Sequence, residues 1–346
     1  MFPAGLPHSE IRKIGCSAAT SRHQWLPRPP RPGRRLERAA ATFRGRFPYA
    51  CAVANQQIDF NNPDAAVQLL DQAADCLHDS PFRHGSAERL PASGMLLATG
   101  DLHDNSEHLA RLVQLAKINK SSDNHLILQE MIHGERLING MDFSYRMLLR
   151  VAQLIVDHPG QVHPVLANHE LSQMTDVHIS KGGADHIELF DAALEHVFGE
   201  SWMDVVDAIN RLIRAMPLAV LSEHGVCCAH SLPNSRQMKY FDMDVFDREL
   251  EEDDYHGPHG AAYLMVWGRR YSKAQVDRLA EAWDVELFCL GHQYTEVGIE
   301  QQGPRVVILN CDLERAAALP IDLAEIPTSE EAVLNAVPLQ AVSVES

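Results

Sequence analysis

The 346-residue chain has no run of about 18 apolar residues, which excludes a membrane-spanning helix of ordinary length. It has no Cys-x-x-Cys pair either. Its seven cysteines (Cys16, Cys51, Cys76, Cys227, Cys228, Cys289 and Cys311) are odd in number and scattered, which argues against a disulfide framework and against a thiolate zinc site. Several lie inside apolar runs, where cysteine acts as a small buried hydrophobe, so a reducing, cytoplasmic setting is expected. Internal repeats are absent. Positive charge is scarce beyond the first fifty residues: residues 1–50 hold ten Lys/Arg against two acids, a net +8, so the remainder carries −25 of the formal −17. So acidic a body repels phosphate backbones and is a poor candidate for non-specific nucleic-acid binding, so no nucleic-acid partner is expected for it. An anionic substrate would need local positive charge, from arginine or from metal ions.

What is present is enough apolar material, 45% of residues, for a substantial core. The opening segment, with its "LPRPPRPGRRLERAAATFRGRF", is rich in Pro and Arg and has no apolar period, so residues 1–55 read as a disordered basic extension. Three roles fit it: an inert arm, an organelle transit peptide, or a contact for an acidic partner. Residues 56–92 read as a helical lead-in. Asn62 suits an N-cap, Pro63 the first helical position, and Ala66, Leu69, Ala73 and Leu77 form one stripe.

From Met95 the chain alternates strand and helix. Strands are predicted at "MLLATG", "HLILQE" and "VHPVLANHE", with helices over Ser106–Lys117 and "FSYRMLLRVAQLIVDH", then "IELFDAALEHVF" and "MDVVDAINRLIRAM". After Pro217 the strands cluster: "LAVLSEHGVCCAH" as a pair, then "VELFCLGH", "GPRVVILNCD" and "AALPIDL", with one helix, "KAQVDRLAEAW", among them. The predicted fold is α/β (α+β), a two-sheet sandwich flanked by helices in four layers. It spans residues 93–325 and is followed by a tail over 326–346.

The chemistry sits where the strands stop. "LLATGDLHD" delivers Asp101 and His103; "LILQEMIHG" delivers Glu130, with His133 close behind. "PVLANHE" delivers Asn168, His169 and Glu170, "GVCCAHS" His230, and "LFCLGHQ" His292. Strand ends over a rigid sheet are where α/β active sites collect. Carboxylate, amide oxygen and imidazole without thiolate suit Mn, Fe (as Fe²⁺ or Fe³⁺) or Zn in a two-metal site. Such a site clamps a phosphate and activates water.

In order, these motifs resemble the calcineurin-like metallophosphoesterases, in particular the serine/threonine phosphoprotein phosphatase branch and its bacterial relatives. That family runs GDxHG, GDxxDRG, GNHE, a histidine in "VHGG" and a last histidine in "GH" or "AHQ". Here the counterparts are Gly100-Asp101-Leu102-His103-Asp104, Gln129-Glu130-Met131-Ile132-His133-Gly134, Ala167-Asn168-His169-Glu170, Ala229-His230-Ser231-Leu232-Pro233 and Gly291-His292-Gln293. The resemblance implies two divalent metal ions: Asp101, His103 and His292 on one, Asn168 and His230 on the second, Glu130 bridging. It implies His169 as the general acid, a metal-bound hydroxide as nucleophile, and Arg269 or Arg270 of "MVWGRRY" on the phosphate, with Arg136 a further candidate.

Three departures stand out. The bridging aspartate is Glu130, the aspartate that orients the catalytic histidine falls at His133, and that motif's arginine falls at Gly134. The leading function is hydrolysis of phosphomonoesters, with phosphoserine or phosphothreonine in proteins as one substrate class. A second reading substitutes small phosphoanhydrides such as dinucleoside polyphosphates, and a third is a catalytically weak relative that binds metal or phosphate.

Overall fold

The structure, a computed structural model, describes residues 58–177, 180–181 and 184–344. The basic extension expected over residues 1–55 lies outside the described residues. From Pro63 the chain runs α1 (Pro63–His78), β1 (Arg83–His84), β2 (Ala87–Leu90), β3 (Met95–Ala98), α2 (Ser106–Ala116), β4 (Asn124–Gln129), α3 (Tyr145–Asp157), β5 (Val162–Val165) and α4 (Asn168–Thr175). The short strands β6 (Ser180–Lys181) and β7 (Ala184–Asp185) lead to α5 (His186–Phe198) and α6 (Trp202–Ala215). Then come β8 (Ala219–Ser222), β9 (Val226–Ala229), α7 (Ala261–Val266), α8 (Lys273–Trp283), β10 (Leu287–Leu290), β11 (Ile299–Gln301), β12 (Val306–Leu309), β13 (Ala317–Asp322), α9 (Ser329–Asn335) and β14 (Val337–Pro338).

Two large sheets result, a five-stranded one ordered β14-β13-β3-β4-β5 and a seven-stranded one ordered β1-β2-β8-β9-β10-β12-β11, beside the two-stranded β6-β7 pair. In the first, β3, β4 and β5 are parallel; in the second, β9, β10 and β12 are. Their strands read as unbroken apolar runs because both faces are covered. Leu96, Ala98, Ile127 and Val165 of one sheet meet Cys228, Leu287, Cys289, Val307 and Leu309 of the other in the layer between them. The alternate residues Leu97, Leu126 and Leu128 turn outward into the larger cluster that holds the helices. There α1 packs on α3 and α6, burying Leu69, Leu70 and Leu77 at roughly 1.5–3 kcal/mol each. The cysteines behave as hydrophobes: burial pushes the Cys311 thiol up to about 12 and raises Cys227 as well.

The two-sheet sandwich agrees with the sequence reading, and the edges differ from it. The lead-in is not only helical, because β1 and β2 follow α1 and β2 pairs in parallel with β8. The tail region carries α9, capped reciprocally by Thr328 and Glu331, and β14, which pairs with β13. Strands this short carry little periodic signal in sequence.

A buried polar link joins the sheets away from the strand ends. His163 on β5 bonds Glu88 of β2 through Nδ1 (2.5 Å), and its Nε2 meets Nδ1 of His125 on β4 (3.0 Å). The Phe82 ring packs edge-on against His125 at 5.4 Å.

Candidate active site

Strands β3, β4, β5, β9 and β10 deliver their C-terminal residues to one place. The turns there are tight. Five non-glycine residues in them hold positive φ: His103 (42°), Asp104 (55°), Glu130 (47°), His133 (60°) and His292 (65°). Such backbone is sparsely populated outside glycine and gathers at functional sites. Hydrogen bonds hold it in place. The N–H groups of Leu102 and His103 donate to the Glu130 carbonyl (3.1 and 2.8 Å), and that of Asp104 donates to Met131 (2.9 Å). Glu170, fully buried, accepts from the N–H groups of Met131 (2.6 Å) and Ile132 (3.3 Å). One carboxylate from α4 thus fastens the altered second motif, which in turn fastens the first.

The side chains converge as acceptors. The His292 N–H donates to both oxygens of Asp101 (2.8 and 3.0 Å). Gly291 permits that approach, since a Cβ there would collide with the Asp101 carboxylate and the Gln129 carboxamide. His103 turns Nδ1 to the Ile132 carbonyl (3.1 Å) and leaves Nε2 3.7 Å from Glu130. Gln129 donates through Nε2 to the Thr99 carbonyl (2.6 Å), so its oxygen accepts from His230 Nδ1 (3.0 Å). That leaves His230 Nε2 bare, 2.7 Å from Asn168 Oδ1, 3.1 Å from His292 Nδ1 and 3.6 Å from Glu130. These backing bonds fix which ring nitrogen faces inward, as the outer partners of metal-binding histidines do.

Two donor groups result, His103–Glu130–His169 and Glu130–His230–His292, each within 4.8 Å. Glu130 belongs to both. His292 thus keeps company with His230 and Asn168, whereas the resemblance had paired it with His103.

Electrostatics point the same way. Burial, reinforced by Glu130, holds Asp101 well above the carboxylate range, and burial pushes Glu130 up to about 8. Burial and the neighbouring imidazoles drive His169 and His230 well below the usual histidine value, while burial and Arg269 bring His292 down to about 3. Neither charge nor protons are comfortable here: carboxylates resist ionising, imidazoles resist protonating, and lone pairs face one another at hydrogen-bond distance. Divalent cations relieve all three at once, and the N/O donor set without thiolate is one they accept. The residues present fit the metal.

Around this cluster lie His133, noted in the sequence only as standing where the family has its orienting aspartate, and two residues given no part there, Asp142 and His186. His133 (4% exposed) stands beside His169, their ring centroids 5.4 Å apart. Its Nδ1 meets Asp142 Oδ2 (2.9 Å), its N–H donates to Ser144 Oγ (3.0 Å), and the Ser144 N–H returns to Asp142 Oδ1 (2.9 Å). Its Nε2 is buried without a partner among the described residues, as is His169 Nδ1. His186, at the start of α5, adds a third ring 5.6 Å from His133 and 5.9 Å from His169. Nothing in spacing links Asp142 to His133. Of the arginines, Arg269 donates to the His292 carbonyl (2.7 Å) and lowers the pKa of His292. Arg270 is exposed beside it, and Arg136 is exposed near Asp104, whose pKa burial raises to about 6 while Arg136 offsets part of that rise.

A family model described as calcineurin-like phosphoesterase matches residues 95–296. Among solved structures, a protein serine/threonine phosphatase from Saccharomyces cerevisiae with similarity to human phosphatase PP5 superposes with TM-score 0.57. It is 12% identical, over 75% of this chain and 82% of that one. A cold-active protein-tyrosine phosphatase of a psychrophilic Shewanella gives TM-score 0.47 and 14% identity, over 73% and 81%. At such identities the likeness is one of fold. No curated protein sequence matches. With the family model covering more than half its length, and metal-type donors at its strand ends, the chain belongs to the calcineurin-like phosphoesterase family, whose members are metal-dependent phosphoester hydrolases.

Proposed function

We propose that this enzyme hydrolyses phosphomonoesters, with phosphoserine and phosphothreonine in proteins as its substrate class. The observation that carries the reading is the acceptor-only cluster with His169 at its edge. Asp101, His103, Glu130, Asn168, His230 and His292 would hold two divalent cations, manganese, iron or zinc by donor type. When bound, such a pair supplies Lewis acidity toward phosphate oxygens and makes water more acidic.

The chain's own residues do the rest. His169 places Nε2 on the cluster side, 3.4 Å from Glu130 Oε1, and from there delivers a proton to the departing alkoxide. A serine or threonine alkoxide needs that proton, and a positioned acid contributes about 10²–10⁴-fold. Behind it, the family's orienting aspartate is replaced by a longer arm: Asp142 holds His133, whose ring packs against that of His169 at 5.4 Å between centroids. Arg269 supplies charge to the phosphate oxygens.

The free thiols Cys227, Cys228, Cys289 and Cys311 support a reducing, cytoplasmic location, and no helix among the described residues is long and apolar enough to cross a membrane. The test is a leaving-group series in Mn²⁺. His169→Ala should depress alkyl phosphate turnover far more than that of an aryl phosphate whose anion leaves unaided; equal losses on both would remove His169 as the acid.

A further inference from the structure

Beside the metal-type cluster opens a cleft of about 620 Å³ whose lining includes Arg236, Arg269, Arg270, Trp267 and Tyr271. It adjoins the site, for the Trp267 ring stands edge-on to His292 at 6.1 Å and Arg269 bonds the His292 carbonyl. It is also built. Asn234 Oδ1 accepts the N–H groups of both Arg269 and Arg270 (3.0 Å each), and the Ser235 N–H donates to the Arg270 carbonyl (3.1 Å). The Tyr271 hydroxyl donates to Gly268 (2.9 Å). The segment after His230 and the segment after α7 are thereby stitched into one floor.

Its positive charge is concentrated. Arg83, Arg89, Arg111, Arg211, Arg214, Arg248 and Arg305 each pair with a carboxylate. Arg236, Arg269 and Arg270 have no such partner among the described residues, as is true of Arg136, Arg146, Arg150, Arg278 and Arg315, but these three line one cleft. A protein of formal charge −17 has thus left three guanidiniums unneutralised in one cleft. One of them, Arg269, already faces the cluster. Arg236 and Arg270, both exposed, carry the positive charge along the rest of the cleft lining.

We infer that this cleft is an anion subsite, and that the preferred substrate carries a second anionic group, carboxylate or phosphate, some atoms from the phosphate it loses. The inference rests on the phosphoesterase reading above and narrows it. Guanidinium forks bind both oxyanions bidentately, so the shared chemistry is the anion. Its source is either an acidic residue flanking a phosphoserine or a second phosphate on a small molecule.

The test measures kcat/KM in Mn²⁺ for matched pairs: a phosphoserine peptide flanked by Glu against the same peptide flanked by Gln, and an alkyl bisphosphate against its monophosphate. A plain aryl phosphate serves as the reference. The wild type should prefer the extra anion in at least one pair by about 10- to 100-fold, the range for charge-assisted hydrogen bonds. Arg236→Gln and Arg270→Gln should each lower that preference ratio, chiefly through KM, and the pair that shows it identifies the source. Preference absent in both pairs, or retained in both variants, would overturn the subsite while aryl phosphate turnover left the phosphoesterase reading standing. A wild type inert on every substrate would overturn both.

Discussion

Removing the Glu170 side chain should loosen the site from behind. Glu170 is fully buried on α4, and its Oε1 is the hydrogen-bond partner of the Met131 and Ile132 N–H groups. Glu170→Ala strands those two buried donors, and each costs about 1–3 kcal/mol when unmet, so a loss of about 4 kcal/mol is expected. Glu170→Gln keeps a carbonyl oxygen for both donors. Burial already raises the Glu170 pKa, so the site disfavours the charge, and the Gln variant should fall within about 1 kcal/mol of wild type. Urea unfolding of the metal-free protein measures both. The functional consequence follows from the hydrogen bonds that tie the second motif to the first: with Glu130 no longer held at its positive φ, metal affinity should drop about 10- to 100-fold in the Ala variant, read by calorimetric titration. Wild-type stability in Glu170→Ala, or equal damage from Gln and Ala, would refute the acceptor role.

Two further outcomes can be checked. Burial takes His125 from its ordinary 6.5 down to about 3, so the folded state disfavours its protonation. That contribution to stability is complete above pH 6.5 and is lost as pH falls toward 3, about 2 kcal/mol between pH 6.5 and 5. His125→Gln should flatten this limb in urea midpoints taken across that range, and an unchanged slope would contradict it. Asp142→Asn should free the His133 ring and lower alkyl phosphate turnover about 10- to 100-fold while aryl phosphate loses less. Parallel losses would assign Asp142 to structure alone.

The metal-type residues were legible because each follows an apolar strand and the five motifs keep the family's order. Asp101, His103, Asn168, His169, His230 and His292 needed no long-range information. What could not be read was everything set by packing between segments. Gln129 looked like the end of a strand, yet its carboxamide selects the tautomer of His230. Glu170 stood out only as the last residue of the "NHE" motif and received no role, yet its carboxylate holds the backbone of Met131 and Ile132. Asp142 lies nine residues after His133, with a loop between, and only the fold closes that distance. The strands β1, β2 and β14 escaped notice because two to four residues are too few for a period to show.

The central claim is that the strand-end cluster makes this chain a metal-dependent phosphomonoesterase despite its altered second motif. Hydrolysis of an aryl phosphate by chelator-stripped protein, followed as Mn²⁺ is added back, tests it most directly. Turnover should be absent without metal and should reach its plateau near two ions per chain. Hydrolysis indifferent to chelation, or none at any metal loading, would contradict it.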